Sequence, residues 1–344
     1  MQATNDDAQL SKLCVGDCIR QVKRPLCAAT SPARSPRRLP CSACVRLGYF
    51  NDDFVHLFVR RPARRAPLIN RGETPAGSRA GRRWISALPP LPPPPPLFQP
   101  CRPRPPAHPA GYYSRYAALR TLLFQFLAAG ADAPGGPPPK QVLSLGAGYD
   151  TAFFQMAKDG LASPGLTYVE LDFPEVTRHK ATAIARTPEM LARLSPIADA
   201  GVDVDAEAGR VRSARYHLEP ADLRQLDTVE AALQGAGLDP DLPTFVLAEC
   251  VLVYMPPPAS AAAVRWLGGR LRTAVFAAYE QVNPSDAFGR QMMVNLESRG
   301  VPLLGILPSL EAHVARFTGA DWQRAEAKSM REIYAWVFGG RKRP

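Results

Sequence analysis

No stretch of this 344-residue chain approaches the ~20 uninterrupted apolar residues that a membrane-spanning helix needs. Its most apolar run, residues 117–131, is broken by Arg120 and Gln125 and reads as a core helix. The N-terminus, MQATNDDAQL, lacks the charged-then-apolar order of a secretory leader, so a soluble cytoplasmic protein is expected, with no membrane partner. Cysteine is scarce beyond residue 110: six of the seven precede it, and only Cys250 follows. Disulfides are not expected in a reducing compartment. Cys41-x-x-Cys44 has the spacing of a zinc-ligand pair, but Cys14 and Cys18 do not supply a matching second pair, so no metal is assigned.

Acidic residues are equally unevenly spread. The net charge of +11 belongs to one end: residues 1–110 hold 18 Lys/Arg against 6 Asp/Glu, which leaves a net of −1 for residues 111–344. The same first 110 residues carry 19 of the 37 prolines, seven of them in the eight positions from Pro89 to Pro96. Such a run favours polyproline II and cannot pair in a sheet. With the basic, low-complexity SPARSPRR of residues 31–38, it makes residues 1–110 an irregular, disordered basic region. No aromatic residues interleave with those arginines as a stacking platform for nucleic acid would require, so nucleic acid is discounted as a partner.

Residues 111–344 alternate short apolar strands with amphipathic helices, the pattern of a doubly wound, mostly parallel α/β sheet. Strands are expected at 141–145, 166–171, around His217, at 244–249 and at 273–279. Helices are expected over 113–129, from near Thr151, at Pro174 and from about Pro258.

Four places in this pattern carry chemistry. The first is Leu143-Ser-Leu-Gly146-Ala-Gly148-Tyr-Asp150-Thr151, a glycine turn between strand and helix. Glycine there lets the chain turn tightly and lets a ligand approach the backbone. Thr151 stands where a dinucleotide fingerprint would place a third glycine, which turns the reading away from a nicotinamide cofactor. The second is Tyr168-Val-Glu170-Leu-Asp172, in which alternation puts both carboxylates on one face. Asp172, at a strand end 26 residues after Gly146, is placed to accept hydrogen bonds from ribose hydroxyls. The third is Ala221-Asp222-Leu223-Arg224. Its Asp222 could accept from an adenine amino group while Leu223 packs on the ring; taken alone, Asp222 reads as a helix N-cap. The fourth is Glu249, at the end of an apolar strand in Leu247-Ala-Glu249-Cys-Val-Leu-Val-Tyr254, where a buried carboxylate calls for a polar partner. Cys250 reads as core, since no histidine stands near it to activate a thiol.

LGAGYDT, YVELDFP, ADLR, LAECVLVYM and Tyr279-Glu-Gln-Val-Asn283, in this order, closely resemble the leucine carboxyl methyltransferases, over about Tyr112 to Tyr334. The resemblance implies a class I methyltransferase fold with S-adenosylmethionine as methyl donor. It also implies methylation of the C-terminal leucine carboxylate of type 2A protein phosphatase catalytic subunits, the expected partner, by a protein expected to be monomeric. Carried onto matching positions, it gives Lys12, Arg115, Gly146, Gly148, Asp172, Asp222, Leu223 and Glu249 to the cofactor. Arg115, Glu249 and Tyr254 fall at its methionine end and at the substrate mouth. Arg115, and less so Arg71, is the candidate for gripping a carboxylate through two parallel hydrogen bonds.

The chain departs from the family pattern in three places. Family-like pieces at 6–12 and 44–72 are followed by segments at 13–41 and 73–111 respectively, which read as insertions, either translated intron or lineage-specific loops. After Tyr334 the sequence ends in GGRKRP where the family continues to further strands, so an unpaired sheet edge and a shortened C-terminus are expected. Two further functions stay open at this stage: a related methyltransferase acting on a small acid or on transfer RNA, and an inactive protein that keeps the phosphatase contact.

Overall fold

The computed structural model describes residues 107–131, 136–194, 201–298 and 300–333. The chain opens with α1 (Ala107–Ala128), then β1 (Lys140–Leu145), α2 (Ala152–Lys158), β2 (Leu166–Asp172), α3 (Pro174–Ala185) and α4 (Pro188–Leu194). β3 (Asp203–Asp205), β4 (Arg210–Arg212), β5 (Tyr216–Pro220), α5 (Leu226–Gly235), β6 (Thr244–Glu249) and a 3-10 turn (Leu252–Tyr254) follow. α6 (Pro257–Arg270), β7 (Ala274–Tyr279), α7 (Ala287–Glu297) and α8 (Leu310–Thr318) complete the order.

Among the described residues these strands form one sheet in the order β3-β4-β5-β2-β1-β6-β7. The five strands β5, β2, β1, β6 and β7 run parallel, so a doubly wound α/β fold is what the chain adopts. Successive residues of β1 and its neighbours feed opposite faces, which gives two apolar layers. Val142, Tyr168, Tyr216 and Phe245 pack with Phe153 and Phe154 of α2, Leu123 of α1 and Ile184 of α3. Leu143, Val169 and Val246 pack on the other face with Leu233 of α5 and Val264 and Leu267 of α6.

Three expectations need correction. The first helix starts at Ala107, not near residue 113, and so runs back through the boundary placed at residue 111. Pro109 does not stop it, because the first four N–H groups of a helix have no intrahelical partner to lose. Asp222 is not a helix N-cap: α5 begins at Leu226 with Gln225 at its cap. Finally, β3 and β4 were not foreseen. They form an antiparallel hairpin at the sheet's edge, with Asp203 opposite Arg212 and Asp205 opposite Arg210. At three residues each they are too short for periodicity to reveal, and opposite charges facing across the pair supply part of what burial does elsewhere.

Candidate functional site

The carboxyl ends of β2, β1 and β6 lie side by side. Leu145, the last residue of β1, pairs in register with Leu171 and with Ala248. Asp172 and Glu249 therefore stand one step further out on either side of the turn that leaves β1. Open α/β sheets bind ligands in this position.

The turn is built by its glycines. Gly146 and Gly148 have φ of 57° and 55°, a left-handed conformation that a Cβ disfavours. At Gly146 an added Cβ would also lie 2.8 Å from a methyl of Val251, so the turn abuts the loop after β6. The Gly148 N–H donates to the Asp172 carboxylate at 2.6 Å, and the Phe173 N–H donates to its other oxygen at 2.7 Å. This leaves Asp172 fixed at the rim and only 9% exposed. A carboxylate offers about four acceptor positions, so these two N–H groups do not exhaust it.

Beneath the turn lies a buried charged network that sequence reasoning missed. Lys180 of α3 pairs with Glu170, and its ammonium also donates to the Asp150 carbonyl at 2.6 Å. Tyr216 donates its hydroxyl to Glu170 at 2.8 Å. Lys180 and Glu170 are fully buried, and burial pushes the Glu170 carboxyl above its ordinary range against the pull of Lys180. Lys180 thus ties α3 and β2 to the far end of the glycine turn. One signal of it existed: Lys180 falls on the buried stripe of α3, with Val176, Thr177, Ala181 and Ile184.

On the β6 side, Glu249 has the polar partner that its place in an apolar strand demanded. Arg115 of α1 pairs with it, and the Arg115 guanidinium lies 4.5 Å over the ring of Tyr279. Arg115 is buried, while about a third of the Glu249 side chain stays exposed at the crevice. Burial, partly offset by Arg115, pushes the Tyr279 phenol up to about 12, so the ring is a neutral platform for the guanidinium and not a base. Tyr254 closes the 3-10 turn after β6 and rests on a small apolar cluster with Val253, Met292 and Leu303. Cys250 is buried with φ of 55°, as a core residue at a sharp bend. Sequence reasoning also passed over Glu280. Its carboxylate accepts from the backbone N–H groups of Val251 (3.2 Å), Leu252 (3.0 Å) and Val253 (3.0 Å).

At the β5 end, Asp222 accepts from the backbone N–H of Arg224 at 2.9 Å and from its guanidinium at 2.6 Å. Burial raises the Asp222 carboxyl, but the Arg224 bonds outweigh it and hold it below its ordinary range. Arg224 in turn lies 5.5 Å over the ring of Phe173, next to Asp172. Leu223 is half-buried and packs toward the apolar layer of Leu226 and Val229. The geometry brings Gly146, Gly148, Asp172 and Glu249 to the carboxyl ends of neighbouring parallel strands, with Arg115 against Glu249 and Tyr254 on the adjoining turn. Lys12 and Arg71 lie outside the described residues. Among the described residues no group of His, Cys, Asp and Glu could hold a metal ion.

A family model described as leucine carboxyl methyltransferase matches residues 46–268. The chain belongs to the leucine carboxyl methyltransferase family. It is similar to a leucine carboxyl methyltransferase 1 homolog of Arabidopsis thaliana, at 39% identity over 97% of this chain and 77% of the relative. It is also similar to leucine carboxyl methyltransferase 1 of Rattus norvegicus, at 33% identity over 85% of this chain and 74% of that one. A third relative is tRNA wybutosine-synthesizing protein 4 of Homo sapiens, at 36% identity over 83% of this chain; the match spans 36% of that longer protein. The fold is thus that of a class I methyltransferase, and S-adenosylmethionine is its methyl donor.

The residues fit that donor. The glycine turn leaves the backbone bare beside Asp172, a fixed acceptor suited to a ribose diol. On the other side of the turn, the partly exposed Glu249 offers a negative group, as the ammonium of a methionine moiety requires.

Proposed function

We propose that this leucine carboxyl methyltransferase family member methylates the α-carboxylate of the C-terminal leucine of a type 2A protein phosphatase catalytic subunit. The observation that carries the reading is Arg115, paired with Glu249 and set 4.5 Å over the ring of Tyr279. A guanidinium locked in that way is pre-organised to orient a planar carboxylate. Bound at the glycine turn, S-adenosylmethionine supplies an electrophilic methyl group. A terminal carboxyl, with a reference pKa of ~3.3–3.7, is already ionised at neutral pH, so the chain has no proton to remove. What it must provide is alignment and exclusion of water, and the half-buried turn after β1 and the mostly buried turn after β6 suit that task. Under this reading Gly146 and Gly148 let the donor approach, Asp172 holds its ribose, and Asp222 and Leu223 flank its adenine. Glu249, Arg115 and Tyr254 form the methionine end and the substrate mouth.

The test is transfer of a labelled methyl group to a peptide bearing the phosphatase tail, beside the same peptide with an amidated C-terminus. Base-labile label on the free acid alone is the expected result; label on both peptides contradicts the reading. A second reading, transfer to a modified transfer RNA, is favoured by the similarity to tRNA wybutosine-synthesizing protein 4. The net charge of −1 over residues 111–344 speaks against it, since RNA-binding surfaces are strongly basic. The same assay with transfer RNA as acceptor separates the two.

A further inference from the structure

We infer that Glu280 is a positioning residue for methyl transfer: ionised, its carboxylate grips the turn behind Glu249 and Tyr254, and protonation releases that grip. The inference builds on the function proposed above, and its geometry begins where β6 and β7 end together. The Cys250 N–H bonds the Tyr279 carbonyl at 2.7 Å, after which the chain bends through the left-handed conformation of Cys250. L residues hold that conformation only where their surroundings enforce it. The next three N–H groups, of Val251, Leu252 and Val253, open a 3-10 turn and have no partner within it. Glu280 takes all three, the first two on one oxygen and the third on the other.

The turn is pinned from its other side as well. The Gly305 N–H bonds the Val253 carbonyl at 2.8 Å. A Cβ on Gly305 would come within 2.5 Å of the Leu252 carbonyl oxygen and 2.6 Å of that of Met255. A turn held this closely transmits the state of its anchor to the residues it carries, Glu249 just before it and Tyr254 at its end.

An ionised carboxylate only accepts hydrogen bonds, whereas a protonated one turns one oxygen into a donor. At least one of the three N–H groups then faces an O–H, and the turn slackens. The charged and titratable neighbours are few. Arg316 of α8 draws Glu280 toward ionisation while donating to the Gly305 carbonyl at 3.0 Å. The Tyr279 phenol is neutral, and the His313 imidazole is held below its ordinary range chiefly by burial and then by Arg316. The turn itself brings no charge. Burial pushes the Glu280 carboxyl up to about 7, against the three N–H groups and Arg316, so the grip changes within the working range of pH.

The experiment compares the full-length wild type with Glu280→Gln, first checking by S-adenosylhomocysteine binding that the variant is folded. Amide exchange at Val251–Val253, corrected for the intrinsic effect of pH, is followed from pH 8 to pH 6 beside the rate of peptide methylation. In the wild type, protection and rate should both fall about tenfold over that range, as expected for one ionisation near neutrality. In Glu280→Gln both should be low at pH 8 and flat. A Glu280→Gln variant that keeps the acid limb, or wild-type protection that ignores pH, overturns the inference. If neither protein methylates the peptide while protection still follows Glu280, the substrate reading fails and the grip on the turn stands. The wild-type exchange measurement keeps the inference testable even if the variant does not fold.

Discussion

On the β2 side of the crevice, two glycines and one acceptor lie within 27 residues of chain and meet through backbone hydrogen bonds, as the Gly148 N–H does with Asp172. On the β6 side, Glu249, Arg115, Tyr279 and Glu280 come from three separate elements and meet through charges removed from water. The first flank is a property of local sequence. The second exists only once helix α1 and strands β6 and β7 have packed. Local turns tolerate change elsewhere in the fold, whereas an assembly of distant charges depends on every element that delivers one.

The comparison is sharpest where a buried charge intrudes on the local flank. Lys180 supports the glycine turn from below, so Lys180→Met leaves the buried Glu170 without its cation and with the Tyr216 hydroxyl as its remaining side-chain partner. Breaking such a pair should cost about 3–5 kcal/mol in denaturant unfolding, and Lys180→Met with Glu170→Met should recover most of it. A double variant no more stable than the single would show that the network acts through packing instead. Gly146→Ala tests the contact between the flanks. Overpacking against Val251 should cost about 1–3 kcal/mol and weaken S-adenosylhomocysteine binding, and Val251→Ala should restore part of both. If Val251→Ala restores neither, the strain lies in the backbone of Gly146 alone.

The pH dependence of stability pits a third region against the β6 flank. Burial, then Arg212, lower the His217 imidazole from 6.5 to about 4, so its contribution is present above 6.5 and lost as pH falls toward 4. For the fold as a whole Glu280, raised to about 7 by burial, works in the opposite sense: its contribution is complete below 4.5 and is lost as pH rises through 7, although the hydrogen bonds that grip the turn belong to its ionised form. His217→Gln should therefore lose less stability than the wild type between pH 6.5 and pH 4.5. Equal losses in the two proteins would remove His217 from the account.

Much of the local flank could be read directly. The strand at Leu166–Asp172 covers the apolar run expected over 166–171, and the helix at Pro174 starts on the proline. The Gly146–Asp172 arrangement was legible because strand, turn and acceptor follow one another in sequence. Glu249 announced its need for a partner, but nothing local could name Arg115 without the family resemblance, since 134 residues separate them. Lys180 and Glu280 were passed over for the same reason. A charge on an apolar face is visible in sequence, whereas the carbonyl or N–H groups it meets are set by tertiary packing. The β3–β4 hairpin escaped because three-residue strands carry no periodicity.

The claim on which all this depends is that the crevice beside the glycine turn binds the methyl donor. Calorimetric titration of the folded wild type with S-adenosylhomocysteine, beside Asp172→Ala, tests it directly. The account predicts binding of one equivalent by the wild type and at least about tenfold weaker binding by the variant, the loss of ~1.4 kcal/mol or more expected when charged hydrogen bonds are removed. A folded wild type that gives no heat, or a variant that binds as well as the wild type, would contradict it.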